Sequence, residues 1–215
     1  PDIEFISRED NYHNLDFDYH IPIMTALGML RPSEASFKIV SNGYLAQNQT
    51  TIQKLRNTIE GIAGDGPIIG ISWKTEAAVT GKTRSIDLQT FLGAIPMKYT
   101  VVSLQYGDCI EEIEQAENRL NRTIYTISDI DNKNDIAKLG TLICACDNVV
   151  TVDNSTVHLA GAFGINCHLL LPHAADFRWA EGDGTSYWYE SVKILRQQNG
   201  SSWTKCLTRV AGSLQ

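Results

Sequence analysis

The sequence lacks three features that mark large classes of protein: a long apolar run, an excess of basic residues and closely paired cysteines. No segment approaches the roughly 18 apolar residues that a membrane-spanning helix requires, and no signal-peptide pattern is visible. Acidic residues number 25 against 18 lysines and arginines, for a net charge of -7. This balance argues against nucleic-acid binding by bulk attraction, although a small phosphate ligand needs only a few local donors. We therefore expect a cytoplasmic protein with no transmembrane segment and no nucleic-acid partner.

The five cysteines form no Cys-x-x-Cys pair, so the common zinc and thiol-redox motifs are missing. Cys144 and Cys146 lie among Leu142, Ile143 and Ala145, a neighbourhood that is typical of a protein core. An odd number of cysteines on apolar segments indicates reduced thiols.

The glycines form neither of the common nucleotide-binding fingerprints. The chain has no GxxxxGK[ST] loop and no GxGxxG turn, which argues against P-loop proteins and against Rossmann-type sugar-nucleotide epimerases. The stretch DIDNKND at 129–135 fails as a calcium loop, because Lys133 stands where a ligand is required and no glycine follows. Helix capping by Asn134 or Asp135 explains it better, so we expect no metal ion. No Ser/His/Asp or Cys/His spacing suggests a nucleophilic triad.

From residue 67 onward the sequence alternates regularly between short apolar runs and helical patterns. Apolar, β-branched runs predict strands at 67–73, 99–105, 123–127, 148–152, 167–172 and 191–196. Helical spacing predicts helices at 86–95, 108–120, 134–146, 155–163 and 203–214. Such alternation with short connections produces a parallel sheet covered on both faces. The predicted fold class is α/β, a Rossmann-like doubly wound parallel sheet, in which ligands bind beyond the carboxyl ends of the strands.

Residues 1–47 have a different character, with scattered polar residues, one candidate strand at 3–6 and a short helix at 22–30. A helix at 50–63, with apolar residues on one face, then leads into Gly/Pro punctuation. We assign 48–215, including this interdomain helix, to the Rossmann-like domain. The chain begins without Met and runs straight into strand-like residues, so we expect a piece of a longer protein.

The most informative stretch is TVDNSTVHLAGAFG at 151–164, where a buried strand passes into a helix through four polar residues. The first N–H groups of a helix lack internal partners and carry partial positive charge, so phosphate binds well there. The small polar side chains allow a close approach, and His158 lies on the same end of the helix. The alternative is purely structural: Asp153 or Asn154 caps the helix, and His158 is a hydrogen-bonded core residue.

Two further segments each have two interpretations. The polar loop 72–85 offers Lys74, Lys82 and Arg84 to neutralise a phosphate, or it is an ordinary solvated loop. The segment 177–191 collects two of the four tryptophans and two tyrosines. It is either an aromatic lid or packing beneath a long loop.

Eight motifs, in this order, resemble the carboxyl-terminal half of a known group of enzymes. They are GISWKT, RSIDLQTF, VVSLQYGD, DIDNKNDIAKL, CDNVVTVDNSTVHLAGAFG, LLLPHAADFRW, SYWYESVKILRQ and the Trp before the last helix. The group is the heptosyltransferase-like glycosyltransferases of bacteria, most closely the versions that follow tetratricopeptide repeats and are related to O-linked N-acetylglucosamine transferases. The likeness covers nearly the whole chain, including LDFDYHIPIMTALGM at 15–29.

The resemblance implies a GT-B architecture, in which two Rossmann-like domains face each other across a cleft. Residues 48–215 are then the nucleotide-sugar-binding domain and 1–47 a remnant of the acceptor domain, whose missing part is a partner of this chain. The family uses no cofactor and no obligatory metal, because helix dipoles and side-chain cations stabilise the diphosphate leaving group. Its acidic base lies in the first domain, before this chain begins. The catalytic residue is therefore unassigned, and we expect little or no transfer by this fragment alone.

Matched by position, the resemblance implies one set of donor-diphosphate residues and one set of nucleotide contacts. The donor-diphosphate set is Lys74, Thr75, Arg84, Asn154, Ser155, Thr156 and His158. The nucleotide contacts are Gln105 and Asp153. Relatives usually have Thr or Ser with small apolar residues after the Asp, whereas Asn154 adds bulk and an amide. The loop after Trp73 also lacks the glycine that is common there.

Two hypotheses for function follow. In the first, the chain is the donor domain of a hexosyl- or heptosyl-type glycosyltransferase. It binds a nucleoside-diphosphate sugar for metal-independent transfer to a hydroxyl of a glycan or protein. In the second, it is a catalytically inactive nucleotide-binding or assembly module derived from this fold, which the substituted DNST stretch favours.

Overall fold

The computed structural model describes residues 6, 16–37, 42–179, 181 and 184–215. The chain divides into two compact units, 1–38 and 39–215. In the first unit, helix α1 (Ile23–Leu30) confirms the short helix predicted at 22–30. The candidate strand at 3–6 lies outside the described residues, apart from Ile6.

The second unit alternates helices and strands along the chain, as predicted. Its helices are α2 (Gln49–Ala63), α3 (Gly81–Arg84), α4 (Leu88–Leu92), α5 (Ile110–Leu120), α6 (Ile136–Cys144), α7 (Ser155–Ala162) and α8 (Thr204–Ser213). Its strands are β1 (Ile68–Ser72), β2 (Thr100–Ser103), β3 (Ile124–Tyr125), β4 (Asn148–Val152), β5 (Cys167–Leu171), β6 (Gly184–Thr185) and β7 (Val192–Arg196).

The strands form one sheet in the order β3-β2-β1-β4-β5-β7-β6. The pairs from β3 to β7 are parallel, and only the short β6 runs antiparallel, beside β7. The chain moves outward from β1 to β3 and then crosses back to β4, so the order reverses between β1 and β4. In an open α/β sheet, a ligand crevice forms beyond the carboxyl ends of the strands at such a switch point. Here the register pairs Ser72 of β1 with Thr151 of β4.

Apolar clusters cover both faces of the sheet. In β1, Ile69 and Ile71 belong to one cluster and Ile68 to the other. In β4, Val150 belongs to the first cluster and Val149 to the second. Because strands buried on both faces read as continuous apolar runs rather than alternating ones, the doubly wound parallel sheet was visible in the sequence, and the structure confirms it.

The second unit begins at residue 39, earlier than the predicted start at 48. The backbone N–H of Tyr44 donates to the carbonyl oxygen of Ala162 at the end of α7 over 2.8 Å. Gly43 permits this approach, since its φ is +76° and a Cβ would lie 2.4 Å from the Ala162 oxygen. This segment therefore belongs to the sheet domain. The interpretation of the preceding residues as an acceptor-domain remnant stays a prediction.

Helix α2 is tied to the sheet by an ion pair. Two guanidinium nitrogens of Arg56 donate to the two carboxylate oxygens of Asp147, over 2.9 and 3.0 Å. Asp147 also accepts the N–H of Ile68, at the start of β1, over 2.7 Å. Burial by itself raises the pKa of Asp147, but the hydrogen bonds from Arg56 and Ile68 outweigh it, and the pKa is lowered. No helix in the described part of the chain is long and apolar enough to cross a membrane.

Candidate functional site

Asn154 joins the start of α7 to the end of β1. Its Oδ1 accepts the N–H of Thr156 over 3.0 Å, which makes it the N-cap of α7. Its Nδ2 donates to Ser72 Oγ over 2.8 Å and to the Lys74 carbonyl over 3.2 Å. Capping satisfies one of the N–H groups that the first turn leaves open. The side-chain amide of Asn154 therefore braces the switch point between β1 and β4.

Asp153 and Arg84 lie against each other beside this cap. Asp153 is only 2% exposed, and its Oδ1 accepts the indole N–H of Trp179 over 2.9 Å. Arg84 Nη2 lies 3.1 Å from Asp153 Oδ2 and also donates to the Asp153 carbonyl oxygen. A buried carboxylate thus holds the Arg84 guanidinium at the amino end of α7, where a cation and the helix dipole act in the same direction on an anion.

Three buried polar atoms at this junction make no hydrogen bond with any described residue. They are Thr156 Oγ1, Arg84 Nε and Asp153 Oδ2, the last of which has only the ion contact with Arg84. Thr156 is fully buried, and its neighbour Ser155 is exposed. Nearly all buried polar atoms in proteins are hydrogen-bonded. A concentration of such atoms around one helix terminus therefore indicates a place where a bound molecule or water completes the bonding.

Gln105, which follows β2, braces the loop after β1 and is 3% exposed. Its Oε1 accepts hydrogen bonds from Ser72 Oγ and from the N–H groups of Trp73 and Lys74, at 3.0–3.1 Å. Its Nε2 donates to the carbonyl oxygens of Lys74 and Tyr106, over 3.2 and 3.1 Å. The side-chain amide is used by the protein itself, and the nucleotide contact expected of Gln105 stays a prediction.

The side chains of Lys74 and Thr75 bond to residues that follow β2 in the chain. Lys74 Nζ lies 2.7 Å from Glu112 Oε2 at the start of α5, and the same carboxylate accepts the indole N–H of Trp73 over 2.7 Å. Thr75 Oγ1 accepts the Tyr106 hydroxyl over 3.2 Å. The structure therefore gathers Arg84 and residues 153–156 at one point, whereas Lys74 and Thr75 hold the loop in place.

His158 is packed within a row of aromatic rings. Its ring stacks on Trp179, with centroids 5.1 Å apart and planes 19° from parallel, and its Nδ1 lies 3.1 Å from the Tyr189 hydroxyl. Tyr189 in turn stacks on Tyr44. Burial, and then the charge of Arg178, lower the pKa of His158, so its imidazole is neutral at neutral pH. These contacts agree with the interpretation of His158 as a hydrogen-bonded core residue. They also show that Trp179 and Tyr189, of the aromatic segment 177–191, pack against it.

Sequence reasoning missed the link between Trp179 and Asp153. The signal was present, since Trp179 is the last residue of the LLLPHAADFRW motif, but no local pattern shows where an indole N–H points.

The stretch 129–135 behaves as expected for a cap: Asp135 Oδ1 accepts the N–H of Lys138 in the first turn of α6 over 3.0 Å. Among the described residues, no group of three His, Cys, Asp or Glu side chains is placed to hold a metal ion.

Comparison with known proteins finds similarity in sequence and similarity in fold. No protein-family model matches the chain. FlbA of Caulobacter vibrioides is 31% identical over 205 residues, which are 93% of this chain and 33% of FlbA. The ADP-heptose LPS heptosyltransferase II of E. coli superposes with a TM-score of 0.59 at 16% identity, over 80% of this chain and 53% of that one. A glycosyl transferase family 9 structure from Veillonella parvula gives 0.55 at 11% identity, over 74% and 44%.

The chain has the fold of these glycosyltransferases. At such low identities the likeness concerns the fold alone and transfers no substrate. The chain spans about half of each solved structure and a third of FlbA. The Rossmann-like sheet is therefore established, while the activity has to be argued from the site.

Proposed function

We propose that this chain is the donor-binding domain of a glycosyltransferase. It binds the diphosphate of a nucleoside-diphosphate sugar at the amino end of α7. A protein that contains it then transfers the sugar to a hydroxyl of a glycan or of another protein. The observation that carries the proposal is the junction of β4 and α7, where Arg84 and unpartnered buried polar atoms surround the first turn of a helix. The position at the switch point of the sheet and the glycosyltransferase fold of the solved relatives support it.

The first turn of α7 has donors to offer. Asn154 occupies the N–H of Thr156, which leaves the N–H groups of Ser155 and Val157 without an intrahelical partner. Arg84 adds a guanidinium that is paired with Asp153 through Nη2, while its Nε is still unpartnered. A charge-assisted hydrogen bond contributes about 1.5–3 kcal/mol, so Arg84 alone accounts for roughly tenfold to hundredfold in nucleotide affinity.

In the transfer step, the bond between the anomeric carbon of the sugar and the diphosphate oxygen breaks, and the oxygen keeps the electron pair. The acceptor hydroxyl bonds to the anomeric carbon and gives its proton to a base, which we do not assign to any residue of this chain. Negative charge grows on the departing diphosphate. The helix terminus and Arg84 stabilise that charge without a metal ion, because donors fixed in advance need no reorganisation during the reaction.

The second candidate is a nucleotide-binding or assembly module without catalytic activity. One observation favours it: Lys74, a cation expected at the diphosphate, is paired with Glu112 instead. With Asn154 also bonded within the protein, the site offers fewer free donors than the sequence suggested. A module of this kind binds nucleotide weakly or not at all and transfers no sugar.

Calorimetry with ADP, UDP and GDP tests the proposal. We expect one of the three to bind at micromolar strength, and Arg84→Gln to weaken that binding at least about tenfold. Arg119→Gln, which removes the same charge from the exposed face of α5, is the matched control and should leave the affinity unchanged. No binding of any nucleotide, or equal losses in both variants, contradicts donor binding at α7. If the nucleotide binds but a longer protein containing the chain transfers no sugar, the inactive module is favoured.

A further inference from the structure

A second cavity, of about 460 Å³, lies at the opposite edge of the sheet from the first turn of α7. It is lined by the first residues of three parallel strands, Asn148 of β4, Cys167 of β5 and Val192 of β7. Residues that directly precede β5 and β7 in the chain also line it. The amino ends of five-residue strands are roughly 13 Å from their carboxyl ends. This amino-edge cavity is therefore separate from the proposed donor site.

Two buried polar atoms belonging to residues that line the amino-edge cavity make no hydrogen bond with any described residue: Nδ1 of His168 and Oγ of Ser191. His168, the second residue of β5, is only 8% exposed. A buried polar atom that has lost water without gaining a partner destabilises the fold. Two of them around one cavity indicate that the cavity is built to receive hydrogen-bonding groups.

His168 makes its hydrogen bond through Nε2, so Nδ1 is available to bond to a ligand. Nε2 lies 2.9 Å from Ser213 Oγ, and that hydroxyl also lies 2.9 Å from the carbonyl oxygen of Val210. If Ser213 donates to Val210, Nε2 carries the ring proton and Nδ1 is an acceptor. If Ser213 donates to His168, Nδ1 carries the proton and is a donor. Burial, and the nearby charge of Lys193, lower the pKa of His168 to about 4, so the ring is neutral at neutral pH in either case.

The charges around the amino-edge cavity favour an anion that also carries hydroxyl groups. Lys193 lines this cavity and an adjoining one of about 350 Å³, which Arg209 also lines. Glu190 also lines the first cavity. Neither Lys193 nor Glu190 forms an ion pair with any residue that the structure describes. The ammonium suits an oxyanion, whereas the carboxylate suits a ligand hydroxyl that donates to it.

We propose that the amino-edge cavity binds a small phosphate or carboxylate anion bearing hydroxyl groups, with Lys193 supplying the charge and Ser191 and His168 the hydrogen bonds. The site is independent of the glycosyltransferase proposal, because it shares no residue with the β4–α7 junction. It would serve as a second ligand site for a small polar metabolite, at the end of the sheet opposite the proposed donor site.

The test uses the 215-residue chain with its five histidines labelled with ¹⁵N, at neutral pH and constant ionic strength. Inorganic phosphate is titrated in one arm and lactate in the other, while the side-chain nitrogens of His168 are followed by NMR. We expect a saturable shift at His168 Nδ1 in at least one arm, and which arm responds separates a phosphate from a carboxylate ligand. The assignment of the signal comes from His168→Gln.

Lys193→Gln should weaken the saturable response at least about tenfold. Lys205→Gln, a change of the same kind on α8 at a residue that bonds to Gln198, should leave it intact. Arg84→Gln should also leave it intact, so the outcome is distinct from that for the donor site. The absence of any shift in both arms, or an unsaturable drift that is equal in the two lysine variants, overturns the proposal.

Discussion

Replacing Arg84 by Met separates the structural role of this residue from its proposed role in binding. The substitution keeps a long apolar side chain but leaves the carboxylate of Asp153, 2% exposed, without its counter-ion. Breaking a buried ion pair costs about 3–5 kcal/mol. Because the side chain of Arg84 is itself 20% exposed, we expect a smaller loss of about 2–3 kcal/mol. For a domain of this size the melting temperature should fall by roughly 4–12 °C.

Adding Asp153→Asn to Arg84→Met removes the stranded charge and should restore about 1 kcal/mol or more of the lost stability, since contacting residues are energetically coupled. The asparagine oxygen can still accept the indole N–H of Trp179. Nucleotide affinity should not return, because the cation that faces the diphosphate is still absent. Thermal unfolding and calorimetry on the wild type, both single variants and the double variant measure the two effects. If affinity recovers together with stability in the double variant, Arg84 has only a structural role and the reasoning fails.

Three further predictions concern the loop after β1, helix α2 and the turn before it. Lys74→Ala should change nucleotide affinity by less than about threefold, because its ammonium is bound to Glu112; a larger loss in calorimetry places Lys74 at the diphosphate after all. Arg56→Met should destabilise the fold by about 1 kcal/mol at neutral pH. The lowered pKa of Asp147 adds stability above about pH 4, its unfolded value, so the difference from wild type should shrink in denaturant titrations as the pH falls below 4. Gly43→Ala should lower the free energy of unfolding more than Gly64→Ala does in the same titrations. Both glycines have a positive φ, but only at position 43 would a Cβ meet a backbone atom, at 2.4 Å. Equal costs contradict the close approach to Ala162.

The sheet could be predicted because its strands are buried on both faces. Strand β4 was predicted at its exact bounds, and β5 to within one residue, since a run such as NVVTV is unambiguous when it is also bounded by helices. Strand β6, two residues long, has no pattern of its own and exists through its pairing with β7. Helix α3 contains no apolar periodicity, and only the folded loop defines it.

The candidate site was predictable only as far as local sequence reaches. The cap, the helix terminus and the neighbouring Asp153 all lie within one stretch, so their chemistry could be read directly. The partner of Lys74 could not be predicted, because Glu112 is 38 positions away and reaches the loop only once α5 has packed against the sheet. The sequence shows Gln105 only as a polar residue after a strand. Its hydrogen bonds to the loop after β1 depend on where β1 ends beside β2, which the sequence does not show.

The most direct test of the central claim is an amide chemical-shift map of the whole chain with the nucleoside diphosphate that binds best. We predict that the largest saturable shifts fall on the backbone amides of Ser155 and Val157 and on the side chain of Arg84. Large shifts elsewhere with none in the first turn of α7, or no shifts with any of the three nucleotides, would contradict the account.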